Sequence, residues 1–258
     1  MEYDAVILAG GRICDELRAL APYDNEAFIS IAGQPMLLYV YRALRKSDYV
    51  KRIVISGPQQ ELQKITPDDE HLYFAAGGEN AIESLTNAVE LLKRDGISEN
   101  ILVMPTDIPF ITRAAIDDFI EQTERTEGDF FYALTRKEVN EEKFPGVSRT
   151  YVQLKDGVFT GGNLFLLRSD MVEKALDMAV ELVMRRKNPL AMGRLFGLRM
   201  VCSYMLKKLS IDMVEKRFYE VMQIKGKGII SDYAEVGVDV DKPSDLELAK
   251  KYLGSQIF

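Results

Sequence analysis

Two stretches of the chain set carboxylates directly after apolar runs. Ile101–Met104 leads into Thr106-Asp107-Ile108-Pro109, and near the far end comes Val238-Asp239-Val240-Asp241-Lys242-Pro243. A carboxylate at the end of a buried strand, with no lysine close in sequence to pair it, suits a hard cation such as Mg2+. The same Asp107 equally suits a turn in which it bonds its own backbone. Asp239 and Asp241 lie two residues apart, so in extended backbone they point the same way and can share an ion. Alternatively, that segment serves only as the entry to a helix opened by Pro243, with Asp245 and Glu247 complementing its dipole.

Two glycine-containing stretches stand where a ligand can approach backbone. Leu8-Ala9-Gly10-Gly11-Arg12 follows an apolar run, and successive N–H groups in such a loop can form an anion nest. Arg12 and Arg18 can add charge-assisted contacts to phosphate. In Thr160-Gly161-Gly162-Asn163 the glycines precede a strand signal, a pattern that fits substrate contact or tight packing equally.

These segments need a scaffold, and the hydrophobic pattern supplies one. Asp4–Ala9 and Ile101–Met104 read as buried strands, with Arg52–Ser56 and the short Leu72–Ala76 as strands between them, each closed by glycine or proline. Helical spacing follows Gly33-Gln34-Pro35 through Met36, Tyr39, Val40 and Leu44. A second helix opens at Asn80, with Glu83 completing a capping box, and a third runs from Thr112 through Gln122. Strands alternating with helices predict parallel pairing. Beyond them, Asp129–Thr135, Thr150–Leu154, Asn163–Leu167, Gly228–Ile230 and Glu235–Asp239 are strand-like, and the stretch from Met171 to Ile224 is mostly helical. The expectation is one α/β domain over residues 1–258, with an insertion or cap at about 171–224. In open α/β sheets, ligands bind beyond the carboxyl ends of the strands, where Gly10, Asp107 and Asp239 are expected.

Composition narrows the chemistry. The chain has 258 residues and a formal net charge of −7, which argues against a nucleic-acid partner. Cys14 and Cys202 form no metal-ligand pattern and read as free thiols in a reducing cytosol. The sole histidine, His71, lies in a polar stretch and makes a catalytic triad or a zinc site untenable. No run is long and apolar enough to span a membrane, and the N-terminus lacks the pattern of a signal peptide, so a cytoplasmic protein is expected.

In order and spacing, the chain resembles the nucleotidyltransferases related to the molybdenum-cofactor guanylyltransferase, within the sugar-phosphate nucleotidyltransferases. The resemblance rests on Leu8-Ala-Gly-Gly11, Ala32-Gly-Gln-Pro-Met36, Gly77-Gly78 with Ser84, Thr106-Asp-Ile-Pro109, Gly161-Gly-Asn163 and Val238-Asp-Val-Asp-Lys-Pro-Ser-Asp-Leu246. It implies a Rossmann-like three-layer α/β/α sandwich with a mostly parallel mixed sheet, of the glycosyltransferase-A type. It implies transfer of a nucleotidyl group from a nucleoside triphosphate to a phosphorylated small molecule, with Mg2+ and release of pyrophosphate. Asp107, Asp239 and Asp241 then match the metal site, with Asp107, Arg12 and Arg18 as the catalytic set. Leu8, Ala9, Gly10, Gly11, Arg12, Thr106, Gly77, Gly78 and Ser84 match the nucleotide side. Gly161, Gly162 and Asn163 match the acceptor side.

This chain departs from the family pattern: the first motif lacks its further glycine and arginine and runs Arg12-Ile-Cys-Asp-Glu-Leu-Arg18. The motif lysine that meets the triphosphate is replaced by Glu26, and Ala81 stands where a subgroup carries arginine. A carboxylate at position 26 repels phosphate unless a metal or Arg18 lies between them. Two other readings follow: a nucleotide-binding or regulatory protein impaired in catalysis, and a glycosyltransferase of the same fold class, since Asp239-Val-Asp241 spells an Asp-x-Asp motif.

Overall fold

The computed structural model of the protein describes residues 2–21, 23–185 and 197–255. Its main sheet has eight strands, in the order β10-β7-β9-β6-β1-β4-β5, with β8 paired to the edge of β9. The strands are β1 (Tyr3–Leu8), β4 (Val50–Gly57), β5 (Leu72–Ala76), β6 (Asn100–Pro105), β7 (Phe130–Arg136), β8 (Val152–Leu154), β9 (Gly157–Arg168) and β10 (Gly226–Ser231). Strands β2 (Ser30–Ile31) and β3 (Gln34–Pro35) form a separate hairpin.

The apolar runs take the centre of the sheet because strands covered on both faces need side chains that tolerate burial on both. β1 pairs in parallel with β4 on one side and β6 on the other, and β5 extends the parallel block. Helices α2 (Met36–Arg45) and α5 (Arg113–Glu124) cover one face, where Leu37, Tyr41, Leu44, Ile116 and Phe119 join one core. Helices α4 (Ala81–Arg94) and α7 (Val172–Arg185) cover the other, where Val89, Leu92 and Val172 meet Val6, Val54 and Val103. A third cluster joins α10 (Pro243–Gly254), through Leu246, Ala249 and Leu253, to Ile29, Ile31, Phe110, Val238 and Val240. Short helices α1 (Asp15–Arg18), α3 (Gln59–Ile65) and α6 (Lys137–Lys143) sit in the connections. Helices α8 (Leu198–Met205) and α9 (Ile211–Met222) complete the expected helical stretch. The basic residues Arg186, Lys187 and Arg194 lie outside the described residues.

Several sequence expectations shift. Pro35 precedes α2 as its N-cap residue rather than opening it, because Gln34-Pro35 is held in the hairpin with Ser30-Ile31. Ala32 (φ 49°) and Gly33 (φ 81°) take the left-handed backbone that a tight two-residue hairpin turn demands. The strand expected at Asn163–Leu167 is longer and begins at Gly157, so Gly161-Gly162-Asn163 lie inside it. No strand forms over Glu235–Asp239. Ala234–Gly237 is a 3-10 turn, because Glu235 is buried against Lys143 (2.5 Å) and Gly237 packs against the Thr135 hydroxyl. Tertiary contact overrides β-propensity there.

The start of α4 matters for the site. Asn80 Oδ1 accepts from the amides of Ile82 (3.0 Å) and Glu83 (3.1 Å). Glu83 accepts from the amide of Glu79 (2.8 Å), one residue before the position a capping box uses. Replacing Asn80 by alanine orphans both amides and is expected to lower stability by about 1 kcal/mol, whereas Asn80→Gly costs a few tenths of that scale. Urea unfolding of the two variants checks this.

Candidate functional site

β1 and β6 are neighbours, with Leu8 opposite Pro105, so the loops that follow them leave the sheet side by side. Asp107 sits two residues past β6. The amide of Val240 donates to the carbonyl of Asp107 at 2.8 Å, which lays the segment from Val238 to Asp241 across the strand ends. Val238 and Val240 are fully buried in the α10 cluster, so extended geometry turns Asp239 and Asp241 to the opposite side. One carboxylate oxygen from each of Asp107, Asp239 and Asp241 lies within 4.8 Å of the others.

Oxygen atoms there lack partners. Asp107 Oδ1 and Thr106 Oγ1 are buried with no hydrogen-bond partner, although the Thr106 hydroxyl is close enough to Glu26 to lower its pKa. Buried polar atoms are normally satisfied, so orphans of this kind mark a place that a ligand completes. Three converging carboxylates make a hard, all-oxygen donor set that fits Mg2+ in chemistry and number.

Glu26 joins the same cluster. Asn25 Nδ2 donates to the Ala9 carbonyl at 2.7 Å, and the Glu26 amide donates to the Gly11 carbonyl at 3.3 Å. A Cβ on Gly11 would fall 1.8 Å from Glu26 Oε1, so only glycine leaves room for this carboxylate. Burial, then the charges of Asp241 and Asp239, pushes the Glu26 carboxyl up to about 7, opposed by Thr106. Burial, then Glu26, Asp239 and Asp241, holds the Asp107 carboxyl well above its usual range. Asp241 is raised by partial burial and by Asp239.

Among the described residues, Arg149 forms an ion pair with this cluster. It pairs with Asp239 Oδ1, and its second terminal nitrogen donates to the Asp239 carbonyl at 2.7 Å. Its side chain is 10% exposed, and its Nε is buried without a partner. Sequence reasoning does not find Arg149, because it stands in a polar connection with no motif around it. The arginines expected to meet phosphate are elsewhere: Arg12 is exposed and its backbone bridges to Asn25, while Arg18 is half-exposed and pairs with Asp15. Among the described residues, neither forms an ion pair with Glu26 or the aspartates.

The expected nucleotide side is assembled as one ledge. The Gly78 amide donates to Ser84 Oγ at 3.0 Å, and the same hydroxyl lies 3.4 Å from where a Cβ on Gly10 would stand. Ser56 Oγ lies within hydrogen-bond distance of the Ser84 carbonyl (2.8 Å) and the Ala76 carbonyl (3.0 Å), its single hydrogen shared between the tip of β5 and α4. Gly77 packs on Gly57, where a Cβ would come within 3.1 Å of its Cα. Leu8 and Ala9 lead into this ledge, and the Ala9 amide donates to Ser56 at 2.8 Å.

On the other side, β9 bulges against β7, where the register breaks between Tyr132 and Leu134. The bulge divides the roles of its residues. Gly161 is exposed and, with Thr160, Arg149, Gly237, Asp239 and Asp241, lines a cavity of about 400 Å³. Gly162 is instead a packing residue, since a Cβ would meet Ala133 and the Val236 carbonyl at 3.0 Å. Asn163 turns its amide toward the Val236 carbonyl at 3.5 Å and does not line that cavity.

A family model described as the MobA-like NTP transferase domain matches residues 5–213. A hypothetical transferase from Thermus thermophilus is 32% identical, with a TM-score of 0.82, and the match covers 95% of this chain and 100% of that one. The 2-C-methyl-D-erythritol 4-phosphate cytidylyltransferase of Clostridium beijerinckii is 24% identical over 127 residues, 47% of this chain and 53% of the relative. The chain thus spans about half the length of the curated relatives it matches. The 2-C-methyl-D-erythritol 4-phosphate cytidylyltransferase of Francisella tularensis, 14% identical with a TM-score of 0.62, shares the fold over 97% of this chain and 99% of that one. The mostly parallel sheet between helical layers is thus the nucleotidyltransferase fold. No helix among the described residues is long and apolar enough to cross a membrane.

The crowded carboxylates set a pH dependence. Glu26 holds its proton to about 7 in the folded chain, against 4.5 for the ordinary group. Between those values the folded state binds more protons than the unfolded one, so this group's contribution to stability falls as pH rises through about 7. With metal chelated, Glu26→Gln should therefore unfold at a higher midpoint than wild type at pH ~8, and the gap should close toward pH ~5. Thermal unfolding of both proteins across that range is the check.

Proposed function

The chain belongs to the MobA-like NTP transferase family, and from that premise we propose that it transfers a nucleotidyl group from a nucleoside triphosphate to a phosphorylated small molecule, dependent on Mg2+. An oxygen of the acceptor phosphate forms a bond to the α-phosphorus, the bond from that phosphorus to the bridging α–β oxygen breaks, and pyrophosphate leaves with the electron pair. The observation that carries this reading is the convergence of Asp107, Asp239 and Asp241 beside orphaned oxygens at the strand ends.

Asp107, Asp239 and Asp241 would hold the metal, which when bound neutralises phosphate charge. Gly10 and Gly11 bring backbone up to the phosphates, and Gly78 with Ser84 shapes the nucleotide ledge. Thr160 and Gly161 border the acceptor cavity, with Arg149 at its wall as the phosphate-binding cation the sequence did not reveal. Catalysis of this type is mostly positioning and charge neutralisation. Cytidine triphosphate is the first donor to test, because the curated relatives carry cytidylyltransferase names.

A second reading, a nucleotide-binding protein with little turnover, is favoured by one observation. Glu26 adds a fourth carboxylate to the cluster in place of the motif lysine. Tight nucleotide binding without pyrophosphate release across a wide acceptor panel would support it.

Thermal unfolding with ATP, GTP, CTP and UTP, each with and without Mg2+, tests the site. A ligand at about 100 times its dissociation constant adds roughly 2.7 kcal/mol, and a metal-dependent shift with one nucleotide is expected. No shift with any of them at millimolar concentration would sink the proposal. In a pyrophosphate-release assay, Asp107→Asn should lower turnover on the order of 100-fold or more while the fold is retained.

A further inference from the structure

Strand β7 alternates strictly. Phe131, Ala133 and Thr135 are buried in the core, while Phe130, Tyr132 and Leu134 face the other way. That second face is only partly covered by α9, and a groove of about 440 Å³ remains between sheet and helix. Tyr132, Leu134, Leu154, Phe159, Val214 and Phe218 line it, and nearly all of its surface is apolar. Phe218 stacks on Phe130 (6.1 Å) within it, and Phe165, behind the groove, stacks on both Phe130 (6.0 Å) and Tyr132 (5.1 Å).

The groove and the carboxylate cavity share Thr160 and Gly161. Gly161 stands where they meet, and any Cβ there would lie 2.0 Å from the Tyr132 hydroxyl. The Tyr132 ring therefore lines the groove, and its hydroxyl reaches Gly161, where groove and cavity meet. Asp239 is near enough to help raise the Tyr132 pKa, after burial. Leu209 also lines the groove.

An apolar channel that opens beside a phosphate-handling site, with an arginine on the wall of that site, matches one molecular shape. The geometry points to an acceptor that is a phosphate monoester of an apolar alcohol, its chain in the β7–α9 groove and its phosphate beside Gly161, Tyr132 and Arg149. This assignment rests on the nucleotidyl-transfer reading above and names its acceptor class. The phosphate oxygen of this amphiphile attacks the α-phosphorus, pyrophosphate leaves, and the product is a nucleoside diphosphate ester of the apolar alcohol. The volume lies within the range of small-molecule sites, and apolar lining with a few convergent polar groups at one end is their usual construction.

Calorimetric titration of the whole chain with butyl, octyl and dodecyl phosphate, and with dodecanol, all below micelle formation, tests the groove. Affinity should tighten by about fourfold per added methylene until the groove is filled, and dodecanol should bind at least tenfold more weakly than dodecyl phosphate. Val214→Trp on the helix wall should weaken dodecyl phosphate at least tenfold, and Leu154→Trp on the strand wall does the same if the first variant fails to fold. Dodecyl phosphate binding no tighter than butyl phosphate, dodecanol binding as tightly as dodecyl phosphate, or tight binding untouched by either variant each overturns the assignment. The metal-dependent nucleotide shift is measured alongside. Lost chain-length dependence with that shift intact sinks the groove alone, whereas a lost shift sinks the nucleotidyl-transfer reading and the acceptor assignment with it.

Discussion

One backbone hydrogen bond organises the site: the Val240 amide on the Asp107 carbonyl at 2.8 Å. It joins the loop after β6 to a segment more than a hundred residues away in sequence, and burial of Val238 and Val240 locks the register. With the valines inside, Asp239 and Asp241 have only one direction to point, which is toward Asp107. Like charges repel at such distances, so the hydrophobic anchoring must offset the electrostatic cost of gathering them.

The contrast with the opposite end of β1 shows what an unsatisfied cluster means. Asp4 is fully buried, yet Arg52 grips both of its oxygens (2.8 and 2.7 Å) and the Ser98 amide adds a third bond. A buried carboxylate with that many partners is a structural fixture. Among the described residues, Asp107 has one oxygen buried without a partner, and Glu26 lies close by with Thr106 to favour its charge. The same strand thus begins at a charge neutralised within the protein and ends beside a buried carboxylate oxygen that has no partner among the described residues.

Strand β9 divides the molecule. On one side, β6, β1, β4 and β5 form a parallel block whose ends carry the carboxylates and the glycine ledge. On the other, β7 and β10 run antiparallel to β9 and present an aromatic face. The bulge at Gly161-Gly162-Asn163 lets one strand serve both regions, because it re-aims successive residues into the cavity, the core and the turn at Val236.

By itself the sequence determines what is local. The buried strands β1 and β6, the short edge strand β5, the Asn80 cap, the glycines after β1 and the acidic residues after β6 are legible because hydrophobic period and turn chemistry act within a few residues. The alternation Val238-Asp239-Val240-Asp241 is legible too, and its consequence holds although no strand forms there. Arg149 and Glu26 are a different matter. Arg149 finds Asp239 across ninety residues of chain, and Glu26 enters the cluster only because Asn25 folds onto Ala9 and Gly11 leaves space for a carboxylate. The Ala234–Gly237 turn and the groove over β7 likewise arise from packing between distant elements. Only the tertiary structure decides these, because burial, ion pairing and the room left by a missing Cβ depend on which surfaces meet, and residue order alone does not state that.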